Sequence, residues 1–253
     1  MATTIPNCIS YDPTYSYELA TIISSGMKRM FEDGENVFYY ITTMNENYVH
    51  PDMPEGVEEG IVRGLYPLKK TTKKAKKRVQ LMSAGTIMRE VEAAAVILEK
   101  DYGVGADIWS VTSVNELARD GYKVSRRNMM NPAEKPEVPY VTQCLLPTEG
   151  PIIAATDYIR AHTNQIREFM PRSFTVLGTD GFGRSDTRAQ LREFFEVDRR
   201  YVVLAAMTAL ADEGVVSRVD VAKVMTDLGI DPAKPDPTTC LLYTSPSPRD
   251  TDK

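Results

Sequence analysis

Histidine, the side chain best suited to proton transfer near neutral pH, occurs twice in this sequence, as His50 and His162. Neither lies in a recognisable nucleophile motif, and the HExxH, CxxC and P-loop signatures are absent. His50 precedes Pro51 and lies close to Glu46, so it is a candidate acid–base group, although a lone loop histidine more often makes ordinary hydrogen bonds. His162 lies between polar residues of a predicted helix, where we expect it to be solvated.

The most distinctive turn in the sequence is GTDGFGRSD (Gly178–Asp186), between a predicted strand and a predicted helix. Its glycines permit backbone conformations and close approaches that other residues disfavour. Ser185 or Asp186 can cap the following helix, whose amino end would attract an anion. The dinucleotide fingerprint is excluded, because the third glycine is missing and Asp180 and Asp186 would repel phosphate. A structural turn or interdomain contact is the first interpretation, and a ligand or partner site stays open.

Two further positions have a structural and a functional interpretation. Ser83–Thr86 is a strand-to-helix turn at the carboxyl edge, where doubly wound sheets place ligands, but such turns occur throughout this fold class. Asp12 precedes Pro13, a pair that predicts a helix N-cap rather than a catalytic acid. Met129 and Met130 are expected in a core or an interface.

The chain begins with an element pair that is typical of a doubly wound sheet. Apolar residues from Tyr15 to Met30 recur at helical spacing and predict a helix to about Phe31, which Gly34 ends. The run Val37–Thr43 then predicts a strand buried on both faces. Because the strands before this unit are not in the sequence, its apolar faces should be exposed.

A connecting segment with two distinct parts follows. Its proline-containing stretch, from Asn45 to Pro67, predicts an extended crossing. In Lys69–Arg78, seven of ten residues are Lys or Arg. Such a run is most simply a solvated interdomain loop, and a docking patch for an acidic partner is the alternative.

Alternating strand and helix patterns then predict a second domain with a largely parallel sheet. The predicted strands are Val79–Ala84, Asp107–Thr112, Tyr140–Leu145, Ile152–Ala155 and Phe174–Leu177. The predicted helices are Thr86–Tyr102, Val114–Ala118, Tyr158–Met170, Thr187–Phe195, Tyr201–Asp212 and Val219–Leu228. From residue 231 onward the periodicity is lost, and the ending CLLYTSPSPRDTDK resembles a translated sequencing adaptor rather than a coding sequence.

Composition narrows the classes of function. Thirty-five acidic and 30 basic residues give a net charge of −5, which argues against nucleic acid as the main partner. No apolar run approaches the roughly 18–20 residues that cross a bilayer. Three distant cysteines, Cys8, Cys144 and Cys240, predict neither a disulfide framework nor a metal cluster and fit a reducing compartment. We therefore expect a cytoplasmic protein.

Four blocks of the sequence carry a resemblance to one enzyme family. They are TIPNCISYDPTYSYELA, VFYYITTMNENYVHPDMPEG, DYGVGADIWSVTSVNELARDG and VLGTDGFGRSDTRAQLREFFEVDRRYVV. From about Ile5 to about Pro237 the chain resembles the homodimeric-type decarboxylase component of the pyruvate dehydrogenase complex. Transketolase shares this architecture but would differ at these blocks.

The resemblance implies an α/β fold in two parts. Residues 1–50 would be the end of a doubly wound pyrimidine-binding domain, and residues 51–78 a linker with the lysine-rich loop. Residues 79–230 would form a transketolase-C-terminal-like domain with a mostly parallel sheet. Residues 231–253 would be a disordered tail, of which 240–253 is the sequencing artefact. The chain would then be a C-terminal fragment that begins just past the catalytic loop of its parent.

The resemblance also implies an activity for the parent enzyme. It would decarboxylate pyruvate with thiamine diphosphate and Mg²⁺ and pass the acetyl group to lipoyl arms of a dihydrolipoyl acetyltransferase core. None of the family's catalytic, cofactor-binding or metal-binding residues matches a position here, so we expect the fragment to bind no cofactor and to be inactive. Its expected contributions are dimerisation and domain packing.

Five residues remain as candidates for positions beside a substrate path or at an interface. The SYDP turn lies near the substrate entrance in related folds, which makes Tyr11 and Asp12 candidates. His50, Asp180 and Arg184 complete the set. The alternative hypothesis is a stand-alone binding module that docks a partner through the Gly178–Asp186 turn or the Lys69–Arg78 run.

Overall fold

The computed structural model describes residues 2–71 and 75–239 and has two sheets of different size. The strands are β1 (Cys8–Tyr11), β2 (Phe38–Ile41), β3 (Tyr66–Lys69), β4 (Arg78–Ser83), β5 (Gly105–Ser110), β6 (Ile152–Ala155) and β7 (Phe174–Leu177). The α-helices are α1 (Ser16–Met27), α2 (Glu58–Arg63), α3 (Met88–Asp101), α4 (Val114–Met130), α5 (Tyr140–Leu145), α6 (Arg160–Thr163), α7 (Arg188–Phe194), α8 (Arg199–Asp212) and α9 (Arg218–Asp227). A π-helical segment, Lys28–Glu32, extends α1, and 3-10 turns span Ala2–Thr4, Gly85–Ile87 and Asn164–Phe169.

The larger sheet has the strand order β3-β5-β4-β6-β7, in which β4 to β7 are parallel and β3 is antiparallel. Its central strands are buried on both faces, because their alternating side chains enter two separate cores. Leu81 contributes to the core beneath α3 and α8, whereas Met82 contributes to the core beneath α4 and α5. The predicted α/β class with a mostly parallel sheet is confirmed.

The first unit is a two-stranded parallel sheet, β1 paired with β2, with α1 between them in sequence. Its inner face packs into a small core with Ile9, Tyr11 and Ile22. Its other face is open to solvent, with Phe31 79% exposed and Tyr40 58%. The predicted exposure therefore holds for one face only, because β1 precedes α1 and shares a core with it. The prediction that β2 is buried on both faces is wrong, because within the described residues β2 has β1 as its sheet partner and one face uncovered.

Helix α1 begins at Ser16 rather than just after Asp12, so the predicted cap is wrong. The backbone N–H of Asp12 donates instead to the carbonyl of Thr112 (2.7 Å), which ties this residue to the end of β5. The backbone N–H groups before α1 find their acceptor in the helix itself: the Glu18 carboxylate accepts hydrogen bonds from the N–H groups of Thr14 and Tyr15.

Segment Tyr140–Leu145 is a helix rather than the predicted strand. Val141 and Leu145, four residues apart, are both buried, and the Tyr140 N–H donates to the Asp120 carboxylate at 2.6 Å. Helix α4 extends to Met130, much further than predicted. Its second half is polar and solvated, so it lacks the apolar periodicity from which a helix is predicted. Met129 and Met130, expected in a core or an interface, are 70% and 59% exposed on that half.

The predicted helix Tyr158–Met170 is divided into the short α6 and a 3-10 turn. The other predicted strands and helices of the second domain are confirmed within a few residues. No described helix is both long and apolar enough to span a bilayer. Cys8 and Cys144 are free thiols, and Cys240 lies outside the described residues.

A buried polar network fastens the amino end of the larger sheet. The Asp107 carboxylate accepts hydrogen bonds from the Thr71 N–H (2.9 Å), the Arg78 guanidinium (2.8 Å) and the Gln80 amide (3.1 Å). Gln80 in turn accepts a hydrogen bond from the Trp109 indole at 2.8 Å. Asp107 therefore holds both ends of the lysine-rich segment, of which residues 72–74 lie outside the described residues.

Gly150 occupies a position that only glycine fits. Its φ is +79°, and a Cβ added there would lie 1.8 Å from the Arg78 carbonyl oxygen. Gly229 has a similar φ of +64°, but a Cβ there meets nothing within 4 Å. Comparing an alanine substitution at each position therefore separates the energetic cost of backbone strain from the cost of steric overlap.

We expect Gly229→Ala to lower the free energy of unfolding by about 1–2 kcal/mol through backbone strain. Gly150→Ala should cost about 3 kcal/mol or more, because overpacking adds to the same strain. Urea unfolding of both variants measures the difference. Equal losses would contradict the close approach of residues 78 and 150.

Candidate functional site

The candidate site lies at the carboxyl edge of the parallel sheet, where the chain direction reverses. From β4 the chain moves outward to β5 and then returns to the other side of β4 as β6. Ligands of doubly wound sheets bind in the crevice outside this switch point. Here the recess is lined at its polar end by Asp12, Ser83, Thr156, Tyr158 and His162.

The segment Ser10–Thr14 enters this recess from the first unit. The Ser113 hydroxyl donates to the Ser10 carbonyl at 2.6 Å, and the Asn115 amide donates to the Ser10 hydroxyl. The Thr14 hydroxyl donates to the Gly85 carbonyl at 3.4 Å, inside the predicted Ser83–Thr86 turn. The crevice that a ligand occupies in other folds of this class is therefore filled by the protein's own chain.

Asp12 is the polar centre of this contact. One of its carboxylate oxygens accepts hydrogen bonds from the hydroxyls of Thr42 and Tyr158, each at 2.7 Å. Partial burial and the nearby Asp12 charge raise the pKa of the Tyr158 phenol, which therefore stays a proton donor. Asp12 thus joins β2 to the loop after β6, and all three groups are engaged with one another.

His162 lies against Tyr158, with ring centroids 4.7 Å apart. Burial lowers the pKa of its imidazole, and its Nε2 atom is buried without a hydrogen-bond partner among the described residues. The prediction that His162 is solvated is therefore wrong. Its helix, α6, is only four residues long and turns the ring towards the recess.

Buried Glu18 is the group that sequence reasoning missed. Besides its two backbone donors, it accepts hydrogen bonds from the hydroxyls of Tyr66 (2.5 Å) and Ser110 (2.6 Å). Burial raises its carboxyl pKa, while these donors favour the ionised form. The available signal was its spacing, since Tyr15, Glu18 and Ile22 share the buried face of α1.

Tyr11 and His50 both have structural contacts. Tyr11 is 2% exposed, and its hydroxyl donates to the Val62 carbonyl at 2.6 Å. His50 accepts a hydrogen bond from the Ser16 N–H at Nδ1 (3.0 Å) and stacks on Tyr48, with ring centroids 4.6 Å apart. His50 therefore supports the amino end of α1 and is not paired with Glu46.

Glu46 and Glu90 lie at the centre of an ion-pair network with several arginines, between the first unit and the second domain. Arg89 lies 2.7 Å from Glu46, and Arg192 bridges both carboxylates at 3.3 and 3.1 Å. Glu90 also pairs with Arg199 at 2.8 Å. Although burial opposes ionisation, the Thr86 hydroxyl and these guanidiniums hold the pKa of Glu46 below its usual value, and Arg199 and Arg192 do the same for Glu90.

The Gly178–Asp186 turn makes contacts on several sides. Asp180 accepts hydrogen bonds from the Arg160 N–H (3.2 Å) and guanidinium (2.6 Å), and the Arg184 guanidinium lies over the Phe194 ring at 3.8 Å. The following helix is capped by Thr187, not by Ser185 or Asp186 as predicted. Gly181 has a φ of +104°, and a Cβ there would meet the Pro237 carbonyl at 2.6 Å.

The described residues do not fit a bound Mg²⁺. Among residues 2–71 and 75–239, no group of three His, Cys, Asp or Glu side chains is placed to hold a metal ion. The carboxylates at the carboxyl edge are directed at hydroxyl and guanidinium donors of the protein. We therefore derive no catalytic step through a metal or a cofactor from these residues.

We expect Glu18→Ala to lower the free energy of unfolding by about 3 kcal/mol or more, because four donors lose their acceptor in a buried site. Glu18→Gln keeps the volume and one acceptor oxygen, and the two hydroxyls can rotate, so a loss of about 1 kcal/mol is expected. Chemical denaturation of both variants provides the measurement. Equal stability of Glu18→Ala and wild type would show that the carboxylate does not hold this junction.

Glu46→Gln should lower the free energy of unfolding by about 1–2 kcal/mol at pH 7. Because the folded-state pKa of Glu46 is lowered, its contribution is complete above the unfolded value of about 4.3 and is lost as pH falls through the folded value. The difference between variant and wild type should therefore shrink below about pH 4. Exposed Glu55→Gln is the matched control, and a difference that grows on acidification would contradict the network.

Two family models match the chain in the order of its two units. The model described as "Pyruvate dehydrogenase E1 component middle domain" matches residues 1–51. The model described as "Transketolase-like TK C-terminal domain" matches residues 64–198, which is more than half of the chain. The β1–β2 unit and the larger sheet thus correspond to separately recognised domains.

Curated relatives are pyruvate dehydrogenase E1 components. The protein from Pseudomonas aeruginosa is 55% identical over 241 residues, and those from Cupriavidus necator and Escherichia coli K12 are 54% and 52% identical. The aligned regions cover 95%, 92% and 92% of this chain but 27%, 26% and 26% of the relatives. The chain therefore spans about a quarter of the length of these proteins.

Solved transketolases share the fold at low identity. The Leishmania mexicana enzyme superposes with a TM-score of 0.58 at 14% identity, over 83% of this chain and 26% of that one. The Campylobacter jejuni enzyme gives 0.51 at 18%, over 82% and 27%. The resemblance drawn from the four sequence blocks is confirmed: the chain belongs to the transketolase-like C-terminal domain family and is similar to pyruvate dehydrogenase E1 components.

Proposed function

We propose that this chain serves as the C-terminal part of a pyruvate dehydrogenase E1 component. The observation that carries the proposal is the 55% identity to such a protein over 95% of the chain. The parent would catalyse oxidative decarboxylation of pyruvate in the cytoplasm and transfer the acetyl group to lipoyl groups. It would act as a homodimer with a dihydrolipoyl acetyltransferase core as partner.

In this proposal the cofactors belong to other parts of the parent. Thiamine diphosphate, held through Mg²⁺, would supply the electron sink for decarboxylation. This chain would contribute dimerisation and domain packing and would be inactive on its own. The contacts of Asp12, Glu18 and Glu46 support a packing role, because each carboxylate joins the first unit to the second domain.

The exposed outer face of the first unit is consistent with a larger parent. Five large apolar side chains lie on α1, on its π-helical extension and on β2, with exposures from 44% to 79%: Ile23, Met27, Phe31, Phe38 and Tyr40. Phe38 and Tyr40 lie on the face of the sheet opposite α1, because Tyr39 between them packs against Gly26 of α1. Exposed apolar side chains on both sides of the unit favour contacts there, and we propose that the parent's preceding residues make them.

Tyr11, Asp12, His50, Asp180 and Arg184 remain candidates for positions beside a substrate path or at an interface. Asp12 has the strongest support, because its carboxylate and the Tyr158 hydroxyl lie at the carboxyl edge of the sheet. A binding role for the Gly178–Asp186 turn is favoured by one observation, the 70% exposure of Phe182 at its tip. That role belongs to the alternative proposal of a stand-alone binding module.

Replacement of the homologous C-terminal segment in the Pseudomonas aeruginosa protein by residues 5–239 tests the main proposal. We expect the chimera to form acetyl-CoA with the other components of the complex, because more than half of the residues are identical. The same chimera with Glu18→Ala should lose stability and activity together, whereas Glu55→Gln should match the parent chimera.

The isolated 253-residue chain should show no pyruvate-dependent reduction of an artificial electron acceptor with thiamine diphosphate and Mg²⁺. Turnover by the isolated chain would refute its proposed inactivity. A folded, dimeric chimera without activity would refute the assignment to this parent. A stable monomer that captures a partner through Phe182, and loses it on Phe182→Ala, would favour the binding module.

A further inference from the structure

The last described residues, 231–239, return to the carboxyl edge of the larger sheet after α9. Asp236, Pro237 and Thr238 line a cavity of about 120 Å³ beside the carboxyl end of β7. The same cavity is lined by Gly178 and Asp180, the first part of the glycine-rich turn. We call residues 231–239 the strap, because they pass over this turn and contact it.

One side chain anchors the strap to the domain. The Lys234 ammonium donates to the Phe194 carbonyl and pairs with the Glu196 carboxylate, each at 2.8 Å. It also lies 5.3 Å from the centre of the Tyr201 ring and 5.6 Å from that of Phe194. These partners end α7 and begin α8, so Lys234 fixes the strap to the junction between the two helices.

The backbone at this junction has an unusual conformation. Glu196 has a φ of +62°, and among the residues that the structure describes it is the only non-glycine residue with a positive φ. Such a conformation persists only where the surrounding contacts impose it. The two hydrogen bonds from Lys234 span Glu196, from the carbonyl two residues before it to its own side chain, and therefore stabilise this conformation.

The strap meets the glycine-rich turn backbone to backbone, at Gly181. A Cβ added at Gly181 would lie 2.6 Å from the Pro237 carbonyl oxygen and 3.3 Å from the Thr238 Cα. The Asp236 carboxylate accepts hydrogen bonds from the Thr238 N–H (2.8 Å) and hydroxyl (2.7 Å), which fixes the carbonyl of the residue between them. This close approach requires a glycine in the turn and a defined conformation in the strap.

The turn itself has little burial to hold it. Every residue from Gly181 to Asp186 is exposed, whereas the start of the turn is held by the ion pair of Asp180 with Arg160. Further along, the Arg184 guanidinium lies 3.8 Å from the centre of the Phe194 ring, which the Lys234 ammonium also approaches. The turn and the anchor of the strap thus share one aromatic side chain.

The strap is held by few contacts and can therefore be released. Seven of its nine residues are exposed, and the exceptions are Lys234 and Pro237. Segments with few buried contacts open at a low cost in free energy. Pro232, Pro235 and Pro237 restrict the backbone of the free strap, so little conformational entropy is lost when it binds again. The buried residues of the two large cores all precede the strap, so its release leaves them in place.

We propose that the strap is a conformational latch for the Gly178–Asp186 turn. Attached, as in this structure, it holds Gly181 in one conformation and closes the cavity beside the carboxyl end of β7. Detached, it leaves the turn mobile and opens the cavity to solvent. The latch depends only on contacts within this chain, so the proposal is independent of the proposed enzyme activity.

Nitrogen-15 NMR relaxation of two chains, one ending at Thr239 and one at Ile230, tests the latch. The order parameters of the Gly181 and Gly183 amides should be about 0.85 with the strap and below about 0.6 without it. Gly150, which is packed against Arg78 at the other edge of the sheet, reports whether the fold is kept. An equally ordered turn in both chains would overturn the proposal.

Two single variants of the 253-residue chain test the anchor and keep the proposal falsifiable if the shorter chain unfolds. Lys234→Met retains the apolar stem but removes the ammonium, so the order parameters of Gly181 and Gly183 should fall towards those of the chain without the strap. Lys223→Met removes the same charge from an exposed ion pair on α9 and should leave the turn as ordered as in the unsubstituted chain. Equal order parameters in the two variants would overturn the role of Lys234 as the anchor.

Discussion

One buried carboxylate joins the parts of this fold. Glu18 is fully buried on α1, and its oxygens accept hydrogen bonds from Tyr66 in β3 and from Ser110, 92 residues further along the chain. Isolated burial of a charge is costly, so the site persists only because every acceptor position has a donor. The placement of α1, β3 and β5 is thereby fixed in a single arrangement.

This constraint has a consequence at the carboxyl edge of the larger sheet. With α1 fixed, the preceding residues Ser10–Thr14 are directed into the switch-point recess, where Ser113 and Asn115 hold them. The position that usually binds a ligand becomes a junction between two domains.

Most of the larger sheet could be predicted from the sequence, because β4, β5, β6 and β7 are short apolar runs between helical patterns. Segment Tyr140–Leu145 could not, since its β-branched and aromatic residues favour a strand while Asp120 and the core favour a helix. β1 was missed because its four residues follow a turn and are buried by elements distant in sequence, β2 and α4. Family membership came from long specific blocks, and the candidate site depends on contacts between distant residues that spacing does not reveal.

The hydrogen bonds from Asp107 to both ends of the lysine-rich segment bear on how freely that segment can vary in evolution. Because Thr71 and Arg78 are anchored to one carboxylate, a longer or shorter segment between them need not alter β3 or β4. Closing a longer loop adds only about 0.6 kcal/mol for each doubling of its length. Insertions and changes of charge can therefore accumulate here at little cost to the sheet, and lineages can diverge in this segment while the domain stays the same.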